Sequence, residues 1–292
     1  MRNVNLEEQQ YLDVLRDIID NGIETENRTG INTKFIVGTT LKYDLSNHKI
    51  PIWTTRKINY KNQWWELLWF LNGRTDVKWL QDKGVNIWNS WVKSDGTIGP
   101  GYGKQFRNWE AVDWTKEVVD EDNGEIIGYK TKHIDQFKNL IERIKKDPNS
   151  RRHIISLWNV PDMEECALPS CHGLVIQFIV EKNKYLHCVY YMRSSDFGVG
   201  YCAWQYALLT NIVGRLTNLE PKSLTAVLGN NHVYINQIEA LNEQLKRIPT
   251  EFPTLEINPN IKTIKDVENS CFEDYKLIGY NPQSFIKIPV SI

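Results

Sequence analysis

Three stretches of the sequence carry side chains whose types and spacing can do chemistry. In Ala167-Leu168-Pro169-Ser170-Cys171-His172 a cysteine follows a proline at the entry to an apolar, strand-like run. Such a thiol reads either as a small core residue or as a nucleophile, and spacing alone does not decide. Nearby in the sequence lie Asn149-Ser150-Arg151-Arg152 and Met192-Arg193-Ser194-Ser195-Asp196. Guanidinium forks beside hydroxyls match the oxygens of a phosphate dianion, and their charge would lower the pKa of a neighbouring thiol. The third stretch is Trp64-Trp65-Glu66-Leu67-Leu68-Trp69-Phe70-Leu71, where one acid interrupts a buried-looking helix. An acid in that setting needs a partner or a task.

Composition narrows the context. The 292 residues hold 35 Lys+Arg and 36 Asp+Glu, a net charge of −1, so no global attraction to nucleic acid or an anionic membrane is available and neither is expected as a partner. Five cysteines, Cys166, Cys171, Cys188, Cys202 and Cys271, and six scattered histidines show no paired spacing, so neither a disulfide framework nor a metal is expected. The polar start, Met1 to Gln10, and the shortness of the apolar runs point to a cytoplasmic protein without a membrane span. Eleven Trp imply an aromatic core or a cleft that holds flat rings.

These side chains need elements to position them. Helical spacing covers Tyr11 to Ile19 with a stop at Asn21-Gly22, residues 64–71, Ile134 to Lys146, Ala203 to Leu216 and Asn236 to Arg247. Strand patterns cover 33–41, Arg152 to Trp158, a hairpin of 174–180 with 185–192, and short runs at 255–257 and 275–278. Residues 85–109 read as a structured loop without a regular element, and about 112–132 as an exposed excursion. Neither a linker nor a repeat stands out, which favours one large α+β domain over 1–292, a mixed β-sheet with helices packed on it.

The order of motifs resembles the folate-dependent thymidylate synthase family. It runs through Asn27-Arg28-Thr29-Gly30, Glu66 to Leu71, Ile87-Trp88, Gly99-Pro100-Gly101-Tyr102-Gly103-Lys104-Gln105, Asp147 to Arg152, Leu168 to His172, Arg193 to Asp196, Gly229-Asn230-Asn231-His232-Val233-Tyr234 and Pro289-Val290-Ser291-Ile292. The resemblance implies a homodimer joined through one face of the sheet. It also implies transfer of a one-carbon unit from 5,10-methylenetetrahydrofolate to C5 of a pyrimidine deoxynucleotide monophosphate. Under it Cys171 is the nucleophile at C6, and Glu66, Tyr102, Arg193 and Asp196 complete the catalytic set. Arg28, Arg193 and Ser194 hold phosphate from one subunit, with Arg151 and Arg152 supplied by the other, while His232 and Tyr234 meet the deoxyribose. Folate falls to Trp88, Trp91, Leu168, Asp196 and Gly200, with Arg56 of Thr54-Thr55-Arg56-Lys57 toward a polyglutamate tail. Residues 286–292, ending at Ile292, form a lid.

The chain departs from that pattern at Asp196-Phe197-Gly198-Val199-Gly200-Tyr201-Cys202-Ala203-Trp204-Gln205, where the family's base-reading Asn is missing. Cys202 falls nearest the vacant position and Gln205 lies one turn later, so both are candidates to meet the base. The leading expectation is synthesis of dTMP from dUMP. The alternatives are a phage-type hydroxymethylase of dUMP or dCMP, a methylase of another pyrimidine nucleotide, and an inactive homologue that binds RNA or another partner.

Overall fold

Local signals account for the first elements of the computed structural model, which describes residues 4–291. Helix α1 (Leu6–Asn21) begins where the Asn5 side chain accepts the backbone N–H groups of Glu7 and Glu8 at 3.0 and 3.3 Å. That cap satisfies donors the first turn leaves unpaired. Tyr11, Leu12, Leu15 and Ile18 form its buried stripe, and the helix stops at Gly22 as its sequence indicates. Strands β1 (Ile23–Thr25) and β2 (Thr33–Asp44) follow, then α2 (Lys61–Leu71), buried without a break from Trp64 to Leu71. A short α3 (Lys78–Gln81) precedes the glycine-rich stretch, which is not wholly irregular: Tyr102–Arg107 forms α4. Its six residues are too few for a hydrophobic period to emerge from the surrounding Gly and Trp.

The acidic and basic excursion is a solvated antiparallel ribbon of β3 (Trp109–Val119) and β4 (Ile126–Ile134). Most of its side chains are exposed, with Trp114 edge-on to Tyr129 at 4.9 Å. Helix α5 (Gln136–Lys146) is capped by Asp135, which accepts the Lys138 N–H at 2.9 Å. Strand β5 (Ile154–Ser156) leads to the hairpin of β6 (His172–Glu181) and β7 (Tyr185–Asp196). After α6 (Ala203–Thr217) come β8 (Glu220–Tyr234), α7 (Ile238–Leu245), β9 (Thr254–Ile257), α8 (Ile264–Glu268) and β10 (Tyr275–Ile278).

Six strands make one mixed sheet in the order β1, β2, β8, β7, β6, β5, and β9 pairs with β10 separately. Only β7 and β8 run parallel, with Asp196 opposite His232. A parallel pair needs a crossover, and α6 supplies it. Every residue of α6 from 203 to 214 is buried, so this helix is the core's axis. Trp64, Trp69 and Trp204 are fully buried around it, and Trp204 meets Trp53 edge-on at 4.8 Å. On β6 and β7 side chains alternate: Ile176, Phe178, Cys188 and Tyr190 face the core, while Val175, Ile179 and Tyr191 lie exposed on the opposite face. The result is a single α+β domain whose sheet ends β7 and β8 side by side. Among the described residues no helix is long and apolar enough to cross a membrane.

Candidate active site

Cys171 stands at the entry to β6, where the strand is irregular. The β6–β7 register slips between His172 and Ile176, and Gly173 adopts a left-handed φ of 66° at a point where a Cβ would strike the Tyr206 hydroxyl. This bulge separates Cys171 from its neighbour. His172 turns into the core, bonds the Tyr206 hydroxyl through Nδ1 at 2.6 Å, and is held at a pKa of about 4 by burial. It therefore stays neutral and occupied. Tyr102 stacks on Phe70 at 4.5 Å and carries its hydroxyl to 3.4 Å from Cys171 Sγ. That oxygen also accepts the Cys171 N–H at 3.0 Å, which leaves its proton free to point at sulfur. Arg193 Nε and Nη2 donate to the carbonyls of Ser170 and Pro169, each at 2.9 Å, and fix the approach to the thiol. Burial pushes the Cys171 pKa up, against Tyr102 and the Arg193 charge, which pull it down.

Glu66 on α2 is the second centre. Its Oε1 accepts Trp88 Nε1 at 2.7 Å and its Oε2 accepts Gln205 Nε2 at 2.9 Å. Burial pushes its pKa up to about 7, against the two donors. Trp88, 5 % exposed, packs edge-on to Tyr102 and Trp91 and holds Glu66 from behind the cavity wall, whereas Trp91 lines the cavity. Gln205 is 1 % exposed and gives its amide nitrogen to Glu66; its carbonyl oxygen has no partner among the described residues. Cys202, at the N-terminus of α6, is also buried, its pKa raised by burial and by the proximity of Glu66 and Cys171.

A cavity of about 560 Å³ opens above the thiol, where the ends of β7 and β8 meet the loop after β1. Arg28, Cys171, Arg193 and Ser194 border it, together with His232, Tyr234, Leu168, Asp196 and Gly200. Arg28 is presented by an Asx turn in which Asn27 Oδ1 accepts both the N–H and the hydroxyl of Thr29, at 2.9 and 2.7 Å. Asp196 Oδ1 takes the Gly198 N–H at 2.7 Å, and its Oδ2 takes Gln237 Nε2 at 3.3 Å. Burial raises the Asp196 pKa and lowers that of His232, while attraction between the two opposes both shifts. Trp91 and Leu168 give the cavity an apolar wall, and the Asp196 carboxylate gives it an acceptor.

Arg151 and Arg152 are exposed and do not border this cavity. Among the described residues neither they nor Arg28 and Arg193 pair with a carboxylate. Their charges are thus not neutralised by a neighbouring acid, and Arg193 keeps Nη1 beyond the two donors it gives to Ser170 and Pro169. Arg56, expected toward a folate tail, lies inside the domain. It is 5 % exposed, stacks its guanidinium over Trp53 at 4.2 Å, and donates to the Gly198 carbonyl, so it braces the turn after β7 from inside.

The C-terminal segment crosses the cavity mouth as a strap. Gln283 N–H bonds the Thr54 carbonyl at 2.8 Å, Arg247 reaches the Ser284 carbonyl at 2.6 Å, and Val290 and Ser291 border the cavity. Ile292 lies outside the described residues. Gln237, whose Nε2 also donates to the Pro289 carbonyl at 3.0 Å, carried no motif signal. A second cavity of about 510 Å³, lined by His48, Asn211 and Arg215, contains none of these groups. A family model described as thymidylate synthase matches residues 9–292.

Proposed function

The chain belongs to the thymidylate synthase family, folate-dependent transferases of a one-carbon unit to C5 of a pyrimidine nucleotide, and from that premise we propose that it converts dUMP to dTMP. The observation that carries this reading is the reacting end itself, a thiol beside the Tyr102 hydroxyl, backed by a buried carboxylate with both oxygens already engaged. Cys171 adds as a thiolate to C6, having given up its proton, and the C5–C6 π electrons become the enolate that attacks the carbon donor. The Tyr102 hydroxyl stabilises the charge on sulfur. Glu66, with a pKa of about 7, has the capacity to take up and return protons at neutral pH. The enolate carbon bonds to the methylene of 5,10-methylenetetrahydrofolate as that methylene's bonds to nitrogen break, the C5 proton passes to a base, and the tetrahydrofolate so released gives a hydride to the exocyclic methylene, leaving the methyl group and dihydrofolate. Cys171 departs from C6 as the product forms.

Binding follows from the same residues. Arg28, Arg193 and Ser194 meet the phosphate, His232 and Tyr234 the sugar hydroxyl, and Trp91, Leu168, Asp196 and Gly200 the folate. Arg151 and Arg152 reach the phosphate of a second copy joined through the exposed sheet face of Val175, Ile179 and Tyr191, so the active form is a homodimer. Hydroxymethylation is the second reading. It is favoured by the near-neutral pKa of Glu66, which suits a base that activates water, and by the absence of an amide that reads uracil at Cys202. The two diverge on a single measurement. Enzyme, 5,10-methylenetetrahydrofolate and dUMP or dCMP are incubated, dihydrofolate absorbance is followed and the nucleotide is weighed by mass spectrometry. Methylated dUMP with stoichiometric dihydrofolate is expected; hydroxymethylated product without dihydrofolate overturns the proposal.

A further inference from the structure

Gln237 is the most interior polar side chain at the junction of strap and cavity. It is 0 % exposed, and its amide makes three bonds to three different segments. Its Oε1 accepts the Tyr234 N–H at 3.1 Å at the end of β8, while Nε2 donates to the Pro289 carbonyl of the strap at 3.0 Å and to Asp196 Oδ2 at 3.3 Å. Gly198 leaves room for it, since a Cβ there would run into the Gln237 amide. Because the acceptor side is held by a backbone N–H, the amide cannot flip without losing all three bonds. The two donated bonds are therefore linked. When the strap is seated, one N–H is directed at Pro289 and the other at Asp196; when it lifts, the amide loses one of the three bonds that orient it.

We infer that Gln237 is a positioning residue that couples seating of the C-terminal strap to the orientation of the Asp196 carboxylate. This deepens the proposed function, resting on Asp196 as a folate contact, and assigns the strap a chemical message beyond covering the cavity. A strap that is absent or misplaced leaves the Gln237 amide held by one bond fewer, so its donor to Asp196 is less firmly directed and folate meets a looser carboxylate.

Two full-length variants separate this from a packing role. Gln237→Glu keeps the shape and the acceptor for Tyr234 N–H but removes both donated bonds, and Gln237→Met removes all three without adding charge. Hydrogen exchange of the amides of residues 286–288, 290 and 291 is measured with nucleotide and folate bound, together with nucleotide Kd and the KM for folate. In both variants the strap amides are expected to exchange faster, and the KM for folate to rise by roughly tenfold, the scale of one lost hydrogen bond to a charged group. Nucleotide Kd is expected to hold in Gln237→Glu, which keeps the bond to the Tyr234 N–H. Unaltered strap exchange alongside lost activity overturns the coupling, as does a parallel loss of nucleotide and folate binding in Gln237→Glu. Failure of the underlying reading is separately visible, because the wild-type protein would then bind nucleotide without folate turnover.

Discussion

Removing a single donor from Glu66 tests what Gln205 is for. The amide stabilises the ionised carboxylate, so Gln205→Ala should raise the Glu66 pKa above its value of about 7 and move the alkaline-rising limb of kcat/KM up by about one pH unit. Discrimination between dUMP and dCMP should change little, because the amide faces an acid; a large change in that ratio would return Gln205 to the base. Cys171→Ser should abolish turnover and the covalent nucleotide adduct seen by mass spectrometry while leaving nucleotide binding intact. Glu66 also carries a stability cost. Its folded pKa of about 7 lies above the ordinary 4.5, so its favourable contribution is full below 4.5 and is lost as pH rises through 7. Glu66→Gln should therefore match wild type in urea melts at pH 4.5 and exceed it at pH 8 by on the order of 2 kcal/mol, while losing roughly 10²–10⁴-fold in kcat. At this scale the residue types were legible from their motifs, but their partners were not: Gln205 and Glu66 lie 139 positions apart, and no local pattern joins them.

Elements were legible in proportion to how strongly their own residues repeat. The amphipathic stripes of α1 and α5 and the hairpin of β6 with β7 stand out in the sequence, whereas β8 does not. Its first half contains Pro221, Lys222, Ser223 and Thr225, and only its place between β2 and β7 makes a strand of it. The largely buried α6 marks the boundary as well, since its apolar run locates it while its N-terminal Cys202 carries no cap. The β3–β4 ribbon packs little against the domain, so Trp114→Ala should cost less than about 1 kcal/mol and leave kcat unchanged in melts and assays, Trp114 being 70 % exposed. Asp135→Ala should be more costly, by about 1–2 kcal/mol, because it removes the α5 cap and a partner of Arg107 together.

For the whole molecule, the phosphate-binding proposal requires two chains. Mixing Cys171→Ser subunits with Arg151→Ala/Arg152→Ala subunits should restore activity that neither has alone, and a lack of recovery in a mixture shown to exchange subunits would count against the shared site. The exposed apolar face that would join them was foreshadowed by the family resemblance and not by any pattern in the strands, whose outward residues mix Val175 and Tyr191 with Gln177 and His187. The β2–β8 ladder has a further consequence for how the protein is made. Thr33 pairs with Tyr234, so the loop holding Arg28 and the strand end holding His232 come together only when segments about two hundred residues apart have zipped. Pairing at such separation is slow, because the entropy of closing the loop is lost before the contacts compensate it. A nucleotide can then recognise only chains that have finished, and at about 100-fold its Kd it would withdraw roughly 2.7 kcal/mol from the unfolding side of the balance. Its substrate would act as a folding checkpoint, holding completed chains out of reach of proteases that take unfinished ones.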